Sequence, residues 1–234
     1  MIVGSMVVRD EANRYLQASL SRLLEVCDKV FVADDGSMDN SVEMARSMGC
    51  SVWERPDSVK PFAVNESVFR SAAWNILGET MSLNEDDWVL SIDADEYLMA
   101  SRKQLEEMAV QAGQRNAFTL SIREAWSLDP VLIRVDGFWR ENHNRRVHRW
   151  NKEAKFRNVT MGCGSVPDGG RCTEIHKIQI LHFGYALEED RLRKYDFYKS
   201  LPSHGHNESH IESILSKPTL ERFDEKIKFW RGMK

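Results

Sequence analysis

Two hydrophobic periods alternate through the first hundred residues. "IVGSMVV" (2–8) is a nearly continuous apolar run, the mark of a buried strand. The stretch from Glu11 to Cys27 then places Leu16, Leu20, Leu23 and Leu24 at helical spacing. "KVFVADD" (29–35) reads as a second buried strand that ends in acids. "MDNSVEMARSMG" (38–49) reads as a helix, with Asp39 as its N-cap and Gly49 just past its end. "CSVWE" (50–54) is a short third strand, and residues 61–77 carry a long amphipathic helix. "DWVLSID" (87–93) is a further buried strand, again followed by acids. Strands alternating with helices in this way predict a parallel, doubly wound sheet.

The rhythm changes after residue 100. Residues 102–113 read as a helix, and 117–126, 131–139 and 145–150 as antiparallel strands. "KIQILHFGY" (177–185) is one more apolar strand. Residues 188–201 and 220–232 read as terminal amphipathic helices. The second half thus extends the same sheet and covers it. There is no internal repeat and no low-complexity tract.

Composition narrows the picture. With 234 residues, 42% of them apolar, one compact domain with a full core is expected. A net charge of -4 argues against a dedicated nucleic-acid surface, although a local basic patch remains open. Cys27, Cys50, Cys163 and Cys172 form no C-x-x-C pair and read as reduced thiols. The opening apolar run is too short to span a bilayer and lacks a basic flank. The expectation is a cytoplasmic protein, with peripheral attachment to the inner membrane left open.

Acids cluster where apolar strands end, which is where open α/β sheets bind ligands. In "LSIDADEYLM" (90–99), Asp93, Asp95 and Glu96 crowd one turn. Such carboxylates suit a hard cation, Mg²⁺ or Mn²⁺, that keeps waters and shares substrate phosphates. The competing reading is a solvated loop that caps a following helix. In "VADDGSMDN" (32–40), Gly36, Ser37 and Asp39 read as turn and capping chemistry. Two adjacent acids, Asp34 and Asp35, are left over; a carboxylate there can accept from a base N–H or a ribose hydroxyl.

Taken together, "MVVRDEANRYLQASLSRL" (6–23), "VFVADDGSMDNSVEMARSMG" (30–49) and "WVLSIDADEYL" (88–98) resemble a family-2 glycosyltransferase of the bacterial surface-glycan type. The resemblance covers residues 1 to about 100 and "ILHFGYA" (180–186), and is loose over 110–175. It implies a GT-A (Rossmann-like) mixed sheet flanked by helices, in a single domain with C-terminal helices. Residues 1–100 would form a nucleotide-binding half and 101–234 an acceptor-binding half. It gives Asp35 a base-binding role, Asp93 a ribose or metal-shell role and Asp95 direct metal ligation. Arg9 and Arg70 fall where relatives approach the nucleotide, the alternative for Arg70 being an exposed helical arginine. Glu96 is a supporting residue. His182 is either a satisfied core histidine or, as the resemblance implies, a further metal ligand.

Other stretches carry competing readings. "RENHNRRVHRW" (140–150) is either a charged strand face or an R-x-x-R-like patch in which Arg146 and Arg149 face the diphosphate or an acidic acceptor, nucleic acid included. His204, His206 and His210 could hold zinc, but with Pro202 and Gly205 beside them they read better as a loop near the site mouth. Inverting transfer needs a carboxylate base, and relatives carry a His-Glu or Glu-Asp pair for it. Here "MGCGSVPDGGRCTE" (161–174) has neither pair, leaving Asp168, itself a plausible turn residue, as the nearest acid and Glu174 as the next.

The resulting expectation is a Mn²⁺- or Mg²⁺-dependent, inverting glycosyltransferase that moves a sugar from a UDP-linked donor to a glycan or other hydroxyl acceptor. A sugar nucleotidyltransferase would share the acids but should carry a glycine-rich loop after the first strand. "MVVRDEANR" has none. A degenerate, non-catalytic binding subunit is the remaining alternative.

Overall fold

The computed structural model describes residues 1–140, 142–200 and 208–223. The chain is a mixed α/β protein, with a mixed sheet flanked by helices as expected. It divides into two compact units. One comprises residues 1–121 and 143–180; the other comprises the described residues of 122–142 and 181–223.

The first unit begins with strands β1 (Ile2–Val8), β2 (Lys29–Asp34), β3 (Ser51–Glu54) and β4 (Trp88–Asp93). β1 pairs in parallel with both β2 and β4, and β2 with β3. Strand β8 (Asn142–Arg149) continues the sheet beyond β4 in the antiparallel sense. Strand β6 (Ala117–Leu128) follows β8, giving the order β6-β8-β4-β1-β2-β3. The short β5 (Glu96–Met99) pairs with β9 (Cys172–His182), which also pairs with β6.

Helices α1 (Leu16–Val26), α2 (Ser41–Ser47), α3 (Glu66–Met81) and α4 (Arg102–Gln111) complete this unit. Phe69, Ala73, Trp74 and Leu77 of α3 share a buried cluster with Val3, Phe31 and Val89 of the sheet. Leu16, Leu20 and Leu23 bury the α1 stripe that the periodicity marked. Gly78 is fixed by close approach: a Cβ there would lie 2.0 Å from the Trp150 ring.

Several boundaries differ from the sequence reading. The helix expected at 61–77 starts at Glu66, because the Asn65 side chain accepts the Val68 N–H at 3.0 Å and fixes the first turn there. Its end is Ser82, in the left-handed conformation (φ 55°). Asp39 is not the N-cap of α2, since Asn40 holds that position; Asp39 instead accepts the Ser41 N–H at 2.9 Å and the Ala12 N–H at 3.0 Å. It therefore joins the β2–α2 loop to the β1–α1 loop. After Asp93 the chain makes a tight turn into β5, so no helix follows the acids directly.

In the second unit, strands β7 (Val131–Arg134) and β10 (Leu220–Arg222) pair antiparallel, and β7 pairs with the far end of β6. The strand expected at 131–139 stops at Arg134 and gives way to a 3₁₀ turn at Gly137–Trp139. The helix expected at 220–232 begins instead as β10; its residues from 224 lie outside those described. Helices α5 (Glu188–Ser200) and α6 (Glu208–Ser213) complete the unit. Its core is aromatic, with Trp126, Trp139 and Tyr185 packed around Ile214. Arg134 lies buried against both indoles, 4.6 and 4.9 Å from their centroids, and Asp136 compensates its charge at 2.9 and 2.8 Å. Among the described residues, no helix is long and apolar enough to cross a membrane.

Candidate functional site

The loops after β1 and β2 are joined by their own polar groups. Asp10 adopts φ 55°, its N–H donates to Ser37 Oγ at 3.0 Å, and its carboxylate accepts the Met38 N–H at 2.7 Å. Asp34 accepts the N–H groups of Gly36 (2.9 Å) and Ser37 (3.0 Å). The adjacent acids thus separate by role, and Asp34 is the one that makes the turn.

Asp35, buried, faces a cationic niche. Arg55 Nε donates to it at 2.7 Å, Arg9 Nη1 at 3.3 Å and the Phe62 N–H at 3.2 Å. Arg9, half exposed, pairs with Asp35 from the end of β1. Arg55 was not singled out from the sequence. It is the first residue past β3, so the same strand-end rule that flagged Asp35 would have found it.

A second cluster gathers at the ends of β4 and β5. The Asp93 N–H donates to Glu96 Oε2 at 2.9 Å, closing the turn. Arg146 of β8 then binds both acids: Nη1 meets Asp93 at 3.2 Å and Nη2 bonds Glu96. It also bonds the Ser165 hydroxyl. Burial alone would favour a neutral Arg146, but Glu96, Asp93 and Asp95 outweigh it and hold the guanidinium charged. Arg70 approaches the other oxygen of Asp93 at 3.6 Å and is buried, so it is not the exposed helical arginine of the competing reading.

The two clusters are linked. The Phe62 N–H serves Asp35, and its ring lies 5.0 Å from the Arg70 guanidinium that faces Asp93. Arg70 is held by buried Glu66 at 2.7 Å, and Glu66 also accepts the N–H groups of Gly162 and Cys163. Helix α3 therefore ties the segment 162–165 to the acid turn.

The remaining candidates separate from this group. Arg149 lies three residues from Arg146 on a strand, so it leaves by the opposite face; it stacks on Trp88 at 4.7 Å and meets Asp86 at 3.8 Å. The expected pairing of Arg146 and Arg149 on one patch therefore does not form. Asp168 is exposed and lies between Arg145 and Arg157, at 3.5 Å from each. Arg145 also leaves β8 by the face opposite to Arg146, so Asp168 is not drawn to the Asp93 cluster. Glu174 pairs with His143.

His182, in the second unit, bonds buried Glu124 through Nδ1, and Lys194 Nζ stands 3.2 Å from its Nε2. His210 lies 4.7 Å from the Trp139 ring, while His204 and His206 lie outside the described residues.

Among the described residues, no group of three or more His, Cys, Asp or Glu side chains forms a ready metal cage. The acid turn fits a cation that brings its own oxygen ligands. Asp95 stands partly exposed on the turn, and Asp93 is 38% exposed despite its two arginines. Hard carboxylate donors beside partly open space suit Mg²⁺ or Mn²⁺ with waters and phosphate oxygens, as opposed to an all-protein site.

No protein-family model matches the chain, and no curated protein does. Some solved structures match the chain at low sequence identity. One is S. aureus TarS, at 13% identity and a TM-score of 0.49, covering 92% of this chain and 42% of that one. A TarS 1–349 structure in complex with UDP-GlcNAc matches at 14% identity and 0.46, over 92% of this chain and 70% of that one. Glucosyl-3-phosphoglycerate synthase from Mycobacterium tuberculosis, in complex with Mn²⁺, UDP and glucosyl-3-phosphoglycerate, matches at 14% and 0.40 over 53% and 44%. The chain spans less than half the length of the first and third of these.

Proposed function

We propose that the chain is a glycosyltransferase that takes a nucleotide-diphosphate sugar, UDP-linked, and transfers the sugar with inversion to a hydroxyl acceptor, in a Mn²⁺- or Mg²⁺-dependent reaction. The observation that carries the reading is the linked pair of acid sites, Asp35 with Arg9 and Arg55, and Asp93 with Arg70 and Arg146, joined through Phe62 at the carboxyl ends of β1, β2 and β4. A nucleoside diphosphate has a polar base edge, two ribose hydroxyls and a dianionic tail. Asp35 supplies an acceptor for the base N–H. Asp93, held by two guanidiniums, supplies a fixed acceptor for ribose hydroxyls. Asp95 would hold the cation, which when bound neutralises charge on the diphosphate and on the leaving nucleotide. Arg70 and Arg146 keep the acids crowded at that turn whether or not the cation is present.

In the transfer, the acceptor oxygen bonds the anomeric carbon as the bond to the diphosphate oxygen breaks. The nucleoside diphosphate leaves with the electron pair, and the acceptor proton passes to a base. The β1–α1 loop supports transfer over nucleotidyl chemistry: Asp10 occupies its left-handed position and is committed to Met38, where a triphosphate loop would need open backbone N–H groups. The test is release of free nucleoside diphosphate from a panel of nucleotide sugars with Mn²⁺. Release from one donor, lost on chelation, supports the reading. Tight nucleotide binding without release in the presence of acceptors would make the chain a binding subunit, and no binding of any donor would refute both.

A further inference from the structure

The second unit holds a polar chain inside an apolar setting. Glu124 is 3% exposed. It accepts from Asn142 Nδ2 at 2.9 Å and bonds His182 Nδ1. On the other side of the imidazole, Lys194 Nζ lies 3.2 Å from Nε2 and 4.6 Å from the Tyr185 centroid. The Tyr185 ring stands edge-on to the imidazole at 5.5 Å.

With Lys194 as an ammonium, the donor inventory places the protons. An ammonium has no lone pair and can only donate, so Nε2 must accept. The single proton of a neutral imidazole then sits on Nδ1 and points at Glu124. The chain reads carboxylate, neutral imidazole, ammonium, with the charges balanced end to end. A metal ion binds imidazole through that same Nε2 lone pair. A cation there would have to displace Lys194 and would still stand beside its charge.

We propose that Lys194 is the resident cation of His182 and closes this imidazole to metal. Imidazole binds Zn²⁺ and the later transition ions most readily, so those are the ions that Lys194 excludes from His182.

The experiment is NMR of the full chain labelled with ¹⁵N-histidine, titrated with Mg²⁺ and with Zn²⁺ in the presence of UDP, with His182 assigned through His182→Gln. In the wild type, the His182 Nε2 resonance should keep the position of an unprotonated, hydrogen-bonded nitrogen through both titrations. In Lys194→Met, whose methionine keeps the apolar stem, Zn²⁺ should move it to the position of a metal-bound nitrogen. Movement in the wild type would overturn the proposal, and this arm needs no variant to fold. Absence of movement in both proteins would overturn the role given to Lys194. The same samples report nucleotide binding through the UDP phosphorus resonances, so failure of the transferase reading shows separately.

Discussion

Arg146 places Nη1 3.2 Å from Asp93 and bonds Glu96 through Nη2, so one buried guanidinium from β8 holds two acids of the β4–β5 turn. This is why "SIDADE" can crowd three acids at a strand end. Arg146→Met should leave Glu96 buried without its cation, a loss of about 3–5 kcal/mol. Denaturant unfolding measures it, and Arg146→Met/Glu96→Gln should recover most of the loss. Wild-type stability in the single variant would mean that the turn is held some other way.

Asp35 carries a separate expectation. If it accepts from the base, Asp35→Asn should weaken UDP and UDP-sugar alike by about 1.5–3 kcal/mol, roughly ten- to a hundredfold. Arg55→Met should weaken them too, by freeing the carboxylate it orients at 2.7 Å. Unchanged affinity by calorimetry in the Asp35 variant would assign that carboxylate to holding Arg9, Arg55 and the Phe62 backbone.

Glu124 predicts an acid-sensitive fold. Burial would raise its pKa, but the positive charge that faces it and the hydrogen bonds from His182 and Asn142 outweigh that and lower it below the ordinary 4.5. A depressed carboxylate stabilises the fold above its unfolded value and loses that contribution as pH falls through the folded one. Stability should therefore drop below about pH 4.5, and Glu124→Gln should be less stable at neutral pH with a shallower acid limb. Parallel pH profiles for the two proteins would contradict this.

The thiols test the burial pattern. Burial, with Asp28 adding to it, pushes Cys27 up to about 12; burial and Glu66 push Cys163 up to about 12, and burial pushes Cys50 to about 11. Cys172 is exposed. A thiol reagent near pH 8 should label one cysteine quickly and the other three only on unfolding. Fast labelling of a second thiol would show that a buried element opens.

The first hundred residues were legible because buried parallel strands and their helices impose strong periods, and because acids at strand ends are costly enough to mean something. Asp35 and Asp93 were visible on those grounds. Arg146 was visible as a charge, but its target was not: only the pairing of β8 with β4 brings it to Asp93, and that pairing spans more than fifty residues of chain. The same strand's period of two separated Arg149 and Arg145, with Asp168, from the acid turn. Asp39 was misplaced by one position because, besides the Ser41 N–H, it accepts the Ala12 N–H on another loop. The strand at Leu220 was hidden because three exposed residues carry no period; β7 decides their conformation. His182 lay in a run with imperfect alternation, so its partners, 58 residues back and 12 ahead, could not be read locally.

The central claim is that Asp95 joins a divalent cation to a nucleoside diphosphate at the acid turn, and calorimetric titration of UDP with and without Mn²⁺ tests it most directly. The account predicts that Mn²⁺ strengthens UDP binding to the wild type at least tenfold, about 1.4 kcal/mol or more. It also predicts that Asp95→Asn, folded with an unchanged melting temperature without ligand, keeps the metal-free affinity and loses the gain from Mn²⁺. Equal strengthening by Mn²⁺ in both proteins would contradict it.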